Sequence, residues 1–241
     1  MQIYGKSDIG KVRTVNQDSF AIEMFSEKRG FAIVCDGMGG ANAGNIASEM
    51  AVKTISDYLK RSIKPNMTSS QVENILRSAV YSANTSVYEK SKTNPDYSGM
   101  GTTVVLLYFD NAVAYILHIG DSRAYLLHEN SLTQLTVDHS MVQTMIEKGE
   151  ITVDEAKVHP NKNIITRALG VGSEVNGDLD FADINEDDVF LLCSDGLSNF
   201  VSSEDIIEQL TEFNLSVADR LIDIANENGG KDNITAVAVK F

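Results

Sequence analysis

The spacing of apolar residues along the chain predicts a group of short strands followed by two long helices. Residues 2–8 alternate between apolar and polar positions, and the apolar runs 19–25 and 30–36 have the length of strands. Over residues 43–59, apolar side chains recur at steps of three and four, which predicts an amphipathic helix. The same period predicts a second helix over residues 70–91.

The second half of the chain is divided into shorter segments. Three apolar runs between residues 102 and 129, joined by the turn sequences "DNA" and "GDS", predict a β-meander. Residues 149–172 are polar with little apolar periodicity, which predicts an exposed flap. The other predicted elements are helices at 141–148, 203–211 and 217–228 and strands at 187–194 and 233–241.

The order of these elements indicates the fold class. Strands and helices arrive in blocks rather than in alternating strand–helix–strand units, and the strand connections are short. This favours antiparallel sheets with helices on the outside, an α+β layered fold. Because the 241 residues contain no internal repeat and no linker, we expect a single domain, residues 1–241, with the flap at about 149–172.

The acidic excess of the chain narrows the choice of partners. Asp and Glu number 34 against 20 Lys and Arg, a formal charge of −14, and such a surface repels nucleic acid and anionic lipid. No apolar stretch is long enough for a membrane helix, and residues 1–10 contain no export signal, so we expect a cytoplasmic protein. Cys35 and Cys193 lie in apolar runs, where a thiol behaves mostly as a small hydrophobic group.

Five aspartates occupy the same kind of position, next to the end of a predicted strand. They are Asp18, Asp36, Asp121, Asp195 and Asp232. A single Asp-Gly after a strand indicates only a tight turn. If these strand ends meet at one edge, however, mutual repulsion would raise the pKa values of the carboxyl groups unless cations were present. Oxygen ligands without histidine or thiolate suit Mg²⁺ or Mn²⁺.

Two nearby residues extend the metal hypothesis. Gly37 has no side chain, so its carbonyl could approach an ion as a ligand. Arg13 could bind a phosphate monoester with two guanidinium donors, although an exposed salt bridge is an alternative interpretation of this arginine. One carboxylate bridging two ions about 3.5 to 4 Å apart would form a centre that activates water for attack on phosphorus.

Eight motifs, in their order along the chain, resemble the PPM-type (protein phosphatase 2C) family, in particular its compact bacterial branch. They read "RTVNQD", "VCDGMGG", "SGMGTT", "IGDSRAYLL", "DHS", "HPNKNIITRALG", "CSDGL" and "GGKDNITAV". The resemblance implies a four-layer α/β/β/α sandwich of two antiparallel sheets flanked by helices. It also implies hydrolysis of phosphoserine and phosphothreonine in proteins by a water that bridges two Mn²⁺ or Mg²⁺ ions.

The resemblance further implies a role for each metal ligand. Asp36 resembles the bridging ligand, Gly37 resembles the carbonyl ligand, and Asp195 and Asp232 resemble the other carboxylates of the first metal. Asp121 is similar to the residue that shares a third, weaker metal with Asp195.

Two further residues and the partners follow from the same resemblance. Asp18 is similar to the acid that orients water on the second metal, and Arg13 matches the phosphate-binding arginine. The implied partners are phosphoproteins, including a cognate serine/threonine kinase of the same bacterial cell, and the implied state is a monomer.

The chain departs from the family pattern at two positions. Ala41 stands where bacterial members commonly have a histidine, and Asn45 where a glutamate is frequent. That histidine is usually proposed to protonate the leaving alkoxide. The histidines of this chain lie elsewhere, and His118 and His128, in strand runs, are interpreted as structural. We therefore expect slower turnover of alkyl phosphoesters, with a metal-bound water as the acid, and relatively better turnover of aryl phosphates.

Two other functions remain open at this point. The missing histidine allows a phosphatase-like module that binds phosphoproteins without hydrolysing them, although the intact acids argue against it. A two-metal nuclease or phosphodiesterase uses the same ion chemistry, but the charge of −14 disfavours it.

Overall fold

The computed structural model describes residues 1–39 and 43–241, which form two antiparallel β-sheets. Their strands, in chain order, are β1 (Gln2–Asp8), β2 (Asp18–Ser26), β3 (Arg29–Met38), β4 (Gly101–Thr102), β5 (Val104–Asp110), β6 (Val113–Ile119), β7 (Arg123–His128), β8 (Ser131–Gln134), β9 (Asp178–Asp183), β10 (Val189–Cys193) and β11 (Ile234–Lys240). The first sheet has the order β1-β11-β10-β7-β8. The second has the order β2-β3-β5-β6-β9, with β4 beside β3.

Helices cover the outer face of each sheet. The α-helices of the described residues are α1 (Gly44–Ser62), α2 (Ser69–Ser91), α3 (Met141–Glu147), α4 (Val153–Lys157), α5 (Asp195–Ser198), α6 (Ser203–Thr211) and α7 (Val217–Glu227), with a 3₁₀ turn at Pro95–Tyr97. Helices α1 and α2 share one apolar cluster with the second sheet, and α5, α6 and α7 share another with the first. The predicted four-layer α+β fold is confirmed. No helix in residues 1–39 and 43–241 has both the length and the apolar character needed to cross a membrane.

A third apolar cluster lies between the sheets and explains the continuous apolar runs. In β3, Phe31 and Ile33 face the helices, whereas Ala32 and Val34 face the other sheet. Phe190 of β10 faces the other sheet in the same way. Because successive side chains of a strand point to opposite faces, a strand buried on both faces needs an apolar residue at every position.

The predicted β-meander is wrong after its second strand. Strands β5 and β6 form a hairpin, but β7 pairs with β10 in the other sheet. The sequence "GDS" is therefore a crossing between sheets, and Gly120 adopts the positive φ of +101° that this crossing requires. The crossing puts Asp121 at the junction of the two sheets.

The predicted flap, 149–172, is exposed over much of its length but contains the helix α4 and a buried end. Leu169 is fully buried and exchanges two backbone hydrogen bonds of 2.9 Å with Thr102. The sequence pattern also missed β8 and β9. Both are edge strands with many polar residues, so the alternation that marks a half-buried strand is weak in them.

The apolar layer between the sheets should contribute strongly to stability. We expect Phe190→Ala to lower the free energy of unfolding by about 3–5 kcal/mol, because a fully buried ring is replaced by a cavity. Phe181→Ala is the matched control, since Phe181 is 66% exposed and its removal should change stability by less than about 0.5 kcal/mol. Urea unfolding measures both, and equal effects would contradict this assignment of the core.

Candidate metal centre

The five predicted aspartates meet where the two sheets meet. Asp18 begins β2 and lies directly opposite Asp36 of β3 in the second sheet. Asp195 follows β10 as the first residue of α5, and Asp232 lies two residues before β11. The strands β10 and β11 both belong to the first sheet. Asp121 lies on the crossing from β6 to β7. The negative charges of the other four acids all contribute to the raised pKa of Asp36, so the five acids lie within electrostatic range of one another.

Burial and mutual repulsion raise the pKa values within this cluster. Burial is the largest cause and neighbouring negative charges are a smaller one. Together they raise the pKa of Asp18 and Asp121 to about 7 and the pKa of Asp195 to about 6. The same two causes raise the pKa of Asp36 well above its ordinary value. Near neutral pH the cluster therefore has to take up protons or cations.

Asp18 is held by one of its two carboxylate oxygens. Oδ2 accepts hydrogen bonds of 2.7 Å from both the Ser194 and the Thr235 hydroxyl groups. Oδ1 is buried and, within the described part of the chain, has no hydrogen-bond partner. A buried oxygen without a donor is costly unless a cation or an ordered water satisfies it, so this atom fits the edge of a metal site.

Gly37 is required here for a steric reason that the sequence pattern did not indicate. A Cβ atom at this position would lie 2.0 Å from the carbonyl oxygen of Gly44, at the start of α1. The Gly37 amide donates a 3.0 Å hydrogen bond to the Gln17 carbonyl. Glycine thus lets α1 and the chain before β2 pack closely beside Asp36.

Arg13 lies at the mouth of the cluster with half of its side chain exposed. Its Nη2 donates to Oδ2 of Asp232 over 2.8 Å. This ion pair holds a guanidinium group beside the acids, where an incoming phosphate can reach it. Both earlier interpretations of Arg13, a salt bridge and a phosphate ligand, are compatible with this position.

The donor set of the cluster fits Mn²⁺ or Mg²⁺. It consists of carboxylate oxygens, which hard divalent ions prefer as ligands. Two divalent ions would cancel the repulsion that raises the pKa values of these acids.

The chain matches the family model for protein phosphatase 2C over residues 5–234. The serine/threonine phosphatase stp of Listeria welshimeri is 39% identical over 238 residues, which are 98% of this chain and 94% of that protein. The chain belongs to the protein phosphatase 2C family. The predicted family, and with it the class of metal-dependent serine/threonine phosphatases, is confirmed.

Solved structures of the family agree with the fold. The crystal structure of the serine/threonine phosphatase PstP/Ppp of Mycobacterium tuberculosis is similar with a TM-score of 0.88 and 36% identity, over 98% of this chain and 97% of that chain. A structure of the catalytic domain of PstP in complex with two manganese ions is similar with a TM-score of 0.84 and 35% identity, over 98% of this chain and 96% of that chain. The two manganese ions of that neighbour agree with the Mn²⁺ or Mg²⁺ cofactor predicted for this protein phosphatase 2C.

A second cluster in this protein phosphatase 2C also contains potential metal ligands. Candidate ligand atoms of His118, His139 and Asp178 lie within 4.8 Å of one another. However, Nη1 of Arg167 donates to Asp178 over 2.9 Å and lies 3.2 Å from Nε2 of His139. Nδ1 of His139 accepts from the Gly120 amide over 3.1 Å. A guanidinium group already supplies the positive charge there, which argues against a metal ion at this second cluster.

The histidine predictions can be tested in part. Nε2 of His118 lies 2.8 Å from the Val137 carbonyl, and Nδ1 of His128 lies 2.6 Å from the Asp188 carboxylate, contacts that support the structural interpretation of both. Ala41, where the leaving-group histidine is absent, lies outside the described residues. Asn45 belongs to the first turn of α1, and its buried side-chain oxygen has no partner among the described residues.

The hydroxyl groups that hold the acids were not predicted from the sequence. Ser194 and Thr235 bind Asp18, and Oγ1 of Thr103 accepts from the Asp36 amide over 2.9 Å and contacts Oγ of Ser122 at 2.7 Å. A signal was present, since each of these residues stands one to three positions from an aspartate or within a recognised motif. Which hydroxyl meets which acid depends on strand pairing that the motifs do not reveal.

The raised pKa values predict how stability depends on pH without metal. An unfolded aspartate has a pKa near 3.9, so between about pH 4 and pH 7 the folded state binds more protons than the unfolded state. The stability that these acids contribute below pH 4 is lost as the pH rises through their folded pKa values. We therefore expect Asp18→Asn to gain stability relative to wild type as the pH rises from 4.5 to 7.5.

Urea unfolding in a chelating buffer at several pH values checks this prediction, with Asp180→Asn, at an exposed position of β9, as the control. Saturating Mn²⁺ should reduce the difference between Asp18→Asn and wild type at high pH, because the ions replace the protons. If the stability difference between Asp18→Asn and wild type is the same at every pH, the conclusion that these acids repel one another in the folded state is wrong.

Proposed function

We propose that this chain hydrolyses phosphoserine and phosphothreonine in proteins at a centre of two Mn²⁺ or Mg²⁺ ions, held by Asp36, Gly37, Asp195 and Asp232. The observation that carries the proposal is the set of aspartates at the junction of the sheets, of which Asp18 is buried and the others are half-buried, and whose burial and mutual repulsion raise the pKa of Asp36 well above its ordinary value. When bound, two such ions supply positive charge for the phosphate oxygens and lower the pKa of a water that attacks phosphorus.

Three residues complete the proposed site. Arg13 would bind the phosphate oxygens with its half-exposed guanidinium group. The 2.8 Å contact with Asp232 holds this group at the mouth of the site. Asp18 would orient the attacking water by accepting a hydrogen bond at Oδ1. Asp121 would hold a third, weaker ion together with Asp195, whose negative charge contributes to the raised pKa of Asp121.

A groove beside the centre supports a protein substrate. It has a volume of about 780 Å³ and runs from Asp121 and Asp195 to the space between the flap and α6. Its walls carry both apolar and charged side chains, such as Val142, Lys162 and Glu204. A groove of this size accommodates the peptide on one side of the phosphorylated residue, whereas a free phosphate monoester would need only the metal centre.

The reaction that supplies such a substrate is the phosphorylation of serine and threonine in proteins. We therefore infer that a serine/threonine kinase of the same cell phosphorylates the substrates of this enzyme. The phosphorylated kinase is itself one of these substrates. A cytoplasmic location and a monomeric state belong to the same proposal. The charge of −14 supports a protein rather than a nucleic acid as the partner.

Phosphate release from a phosphothreonine peptide, with Mn²⁺ titrated in after chelation, tests the proposed function. We expect wild type and the surface variant Asp180→Asn to release phosphate in proportion to bound Mn²⁺. Asp195→Asn should lose at least about 100-fold in rate, because a carboxylate at the centre is replaced by a neutral amide.

The two alternative functions, a phosphoprotein-binding module and a nuclease or phosphodiesterase, predict other results in this assay. Binding of the peptide by folded wild type without phosphate release at any Mn²⁺ concentration would support the phosphoprotein-binding module. Turnover of a phosphodiester but not of the peptide would support a nuclease or phosphodiesterase. Either outcome would overturn the proposed function.

The departure at Ala41 generates a separate prediction. If the chain lacks a group that protonates the leaving alkoxide, Ala41→His should raise turnover of a phosphothreonine peptide more than turnover of an aryl phosphate. The reason is that a phenolate leaves readily without a proton, whereas an alkoxide does not. Steady-state kcat for both substrates measures the effect, and an equal change on both would count against this explanation.

A further inference from the structure

The hydrogen bonds around Asp18 form a network that ends on one oxygen of its carboxylate. Nδ2 of Asn16 donates to Oγ of Ser7 over 2.8 Å, and the Ser7 and Thr235 hydroxyl groups are 2.8 Å apart. Oγ1 of Thr235 and Oγ of Ser194 are each 2.7 Å from Oδ2 of Asp18. The Thr235 amide donates to Oγ of Ser194 over 3.0 Å.

The direction of each hydrogen bond follows from what each group can donate. Oδ1 of Asn16 accepts from the Asp18 amide over 3.1 Å, so the other amide atom of Asn16 is the donor toward Ser7. A carboxylate only accepts, so the single hydroxyl hydrogens of Ser194 and Thr235 point to Asp18. Oγ of Ser7 accepts from Asn16 and lies within hydrogen-bond distance of the Thr235 hydroxyl group. The two hydroxyl hydrogens that reach the Asp18 carboxylate are thus both directed to Oδ2, and no donor among the described residues contacts Oδ1.

The network also joins the two sheets. Asp18 belongs to β2 in the second sheet, whereas Ser194 follows β10 and Thr235 lies in β11 of the first sheet. Ser194 and Thr235 are fully buried. Ser194 directly precedes Asp195 in the sequence, and Thr235 comes three residues after Asp232. The strands that present two of the proposed metal ligands therefore also fix the carboxylate that comes from the other sheet.

We infer that Ser194 and Thr235 are positioning residues that occupy one oxygen of Asp18 and so leave Oδ1 available to the metal centre. This inference rests on the proposed function, because it assumes that Asp18 serves a bound ion. Charge-assisted hydrogen bonds of this length are stronger than neutral ones, and two of them on one atom fix the rotation of the carboxylate. Without them, the carboxylate could turn and satisfy both oxygens within the protein.

Mn²⁺ binding measured by isothermal titration calorimetry tests the inference without relying on activity. Thr235→Val removes the donor at nearly constant volume and should weaken Mn²⁺ binding by about 10- to 100-fold. Thr235→Ser keeps the hydroxyl and should remain within about threefold of wild type. Ser194→Ala should weaken binding as Thr235→Val does, and it serves as the second variant if the valine variant does not fold.

A double-mutant cycle with Asp18→Asn separates positioning from a general loss of structure. If Thr235 acts through Asp18, Thr235→Val should cause no further loss of Mn²⁺ affinity in the Asp18→Asn background. Wild-type affinity in both Thr235→Val and Ser194→Ala, or a full additional loss in the double variant, would overturn the inference. Failure of the proposed function is distinguishable, since wild type would then bind Mn²⁺ but release no phosphate from the peptide.

Discussion

Repulsion among aspartates at the junction of the two sheets is the constraint on which the rest of the structure depends. Asp18 and Asp36 face each other across a strand pair, an arrangement that destabilises a sheet when both residues are charged. Burial and the neighbouring acids add to that cost and raise the pKa of Asp36 well above its ordinary value. The apolar layers hold the acids together in spite of this repulsion, so the cluster is suited to bind divalent cations.

The position of the proposed centre would make both sheets necessary for function. Asp36 belongs to the second sheet, while Asp195 and Asp232 come from the ends of strands in the first. The geometry of the site is therefore set by how the sheets pack, which depends on the apolar layer between them and on polar contacts across the junction. The hydroxyl groups that bind Asp18 are such contacts, and the crossing at Gly120 is another connection.

The sequence allowed the prediction of elements whose pattern is local. The helices α1 and α2 and the strands β3 and β10 have strong periodicity or continuous apolar runs, and the acids follow strands that are easy to recognise. Features that depend on distant pairing could not be predicted in this way. The turn "GDS" has the same local signal whether it closes a hairpin or crosses to another sheet, and the partners of Asp18 lie 176 and 217 residues away.

Anomalous X-ray diffraction at the manganese edge, from crystals of the protein grown with Mn²⁺, tests directly whether the aspartates bind two ions. We expect two strong manganese peaks about 3.5 to 4 Å apart among Asp36, Asp195 and Asp232, with Asp36 next to both. This expectation would be contradicted by well-ordered crystals at saturating Mn²⁺ that show no peak at these aspartates, or whose only peak lies between His118, His139 and Asp178.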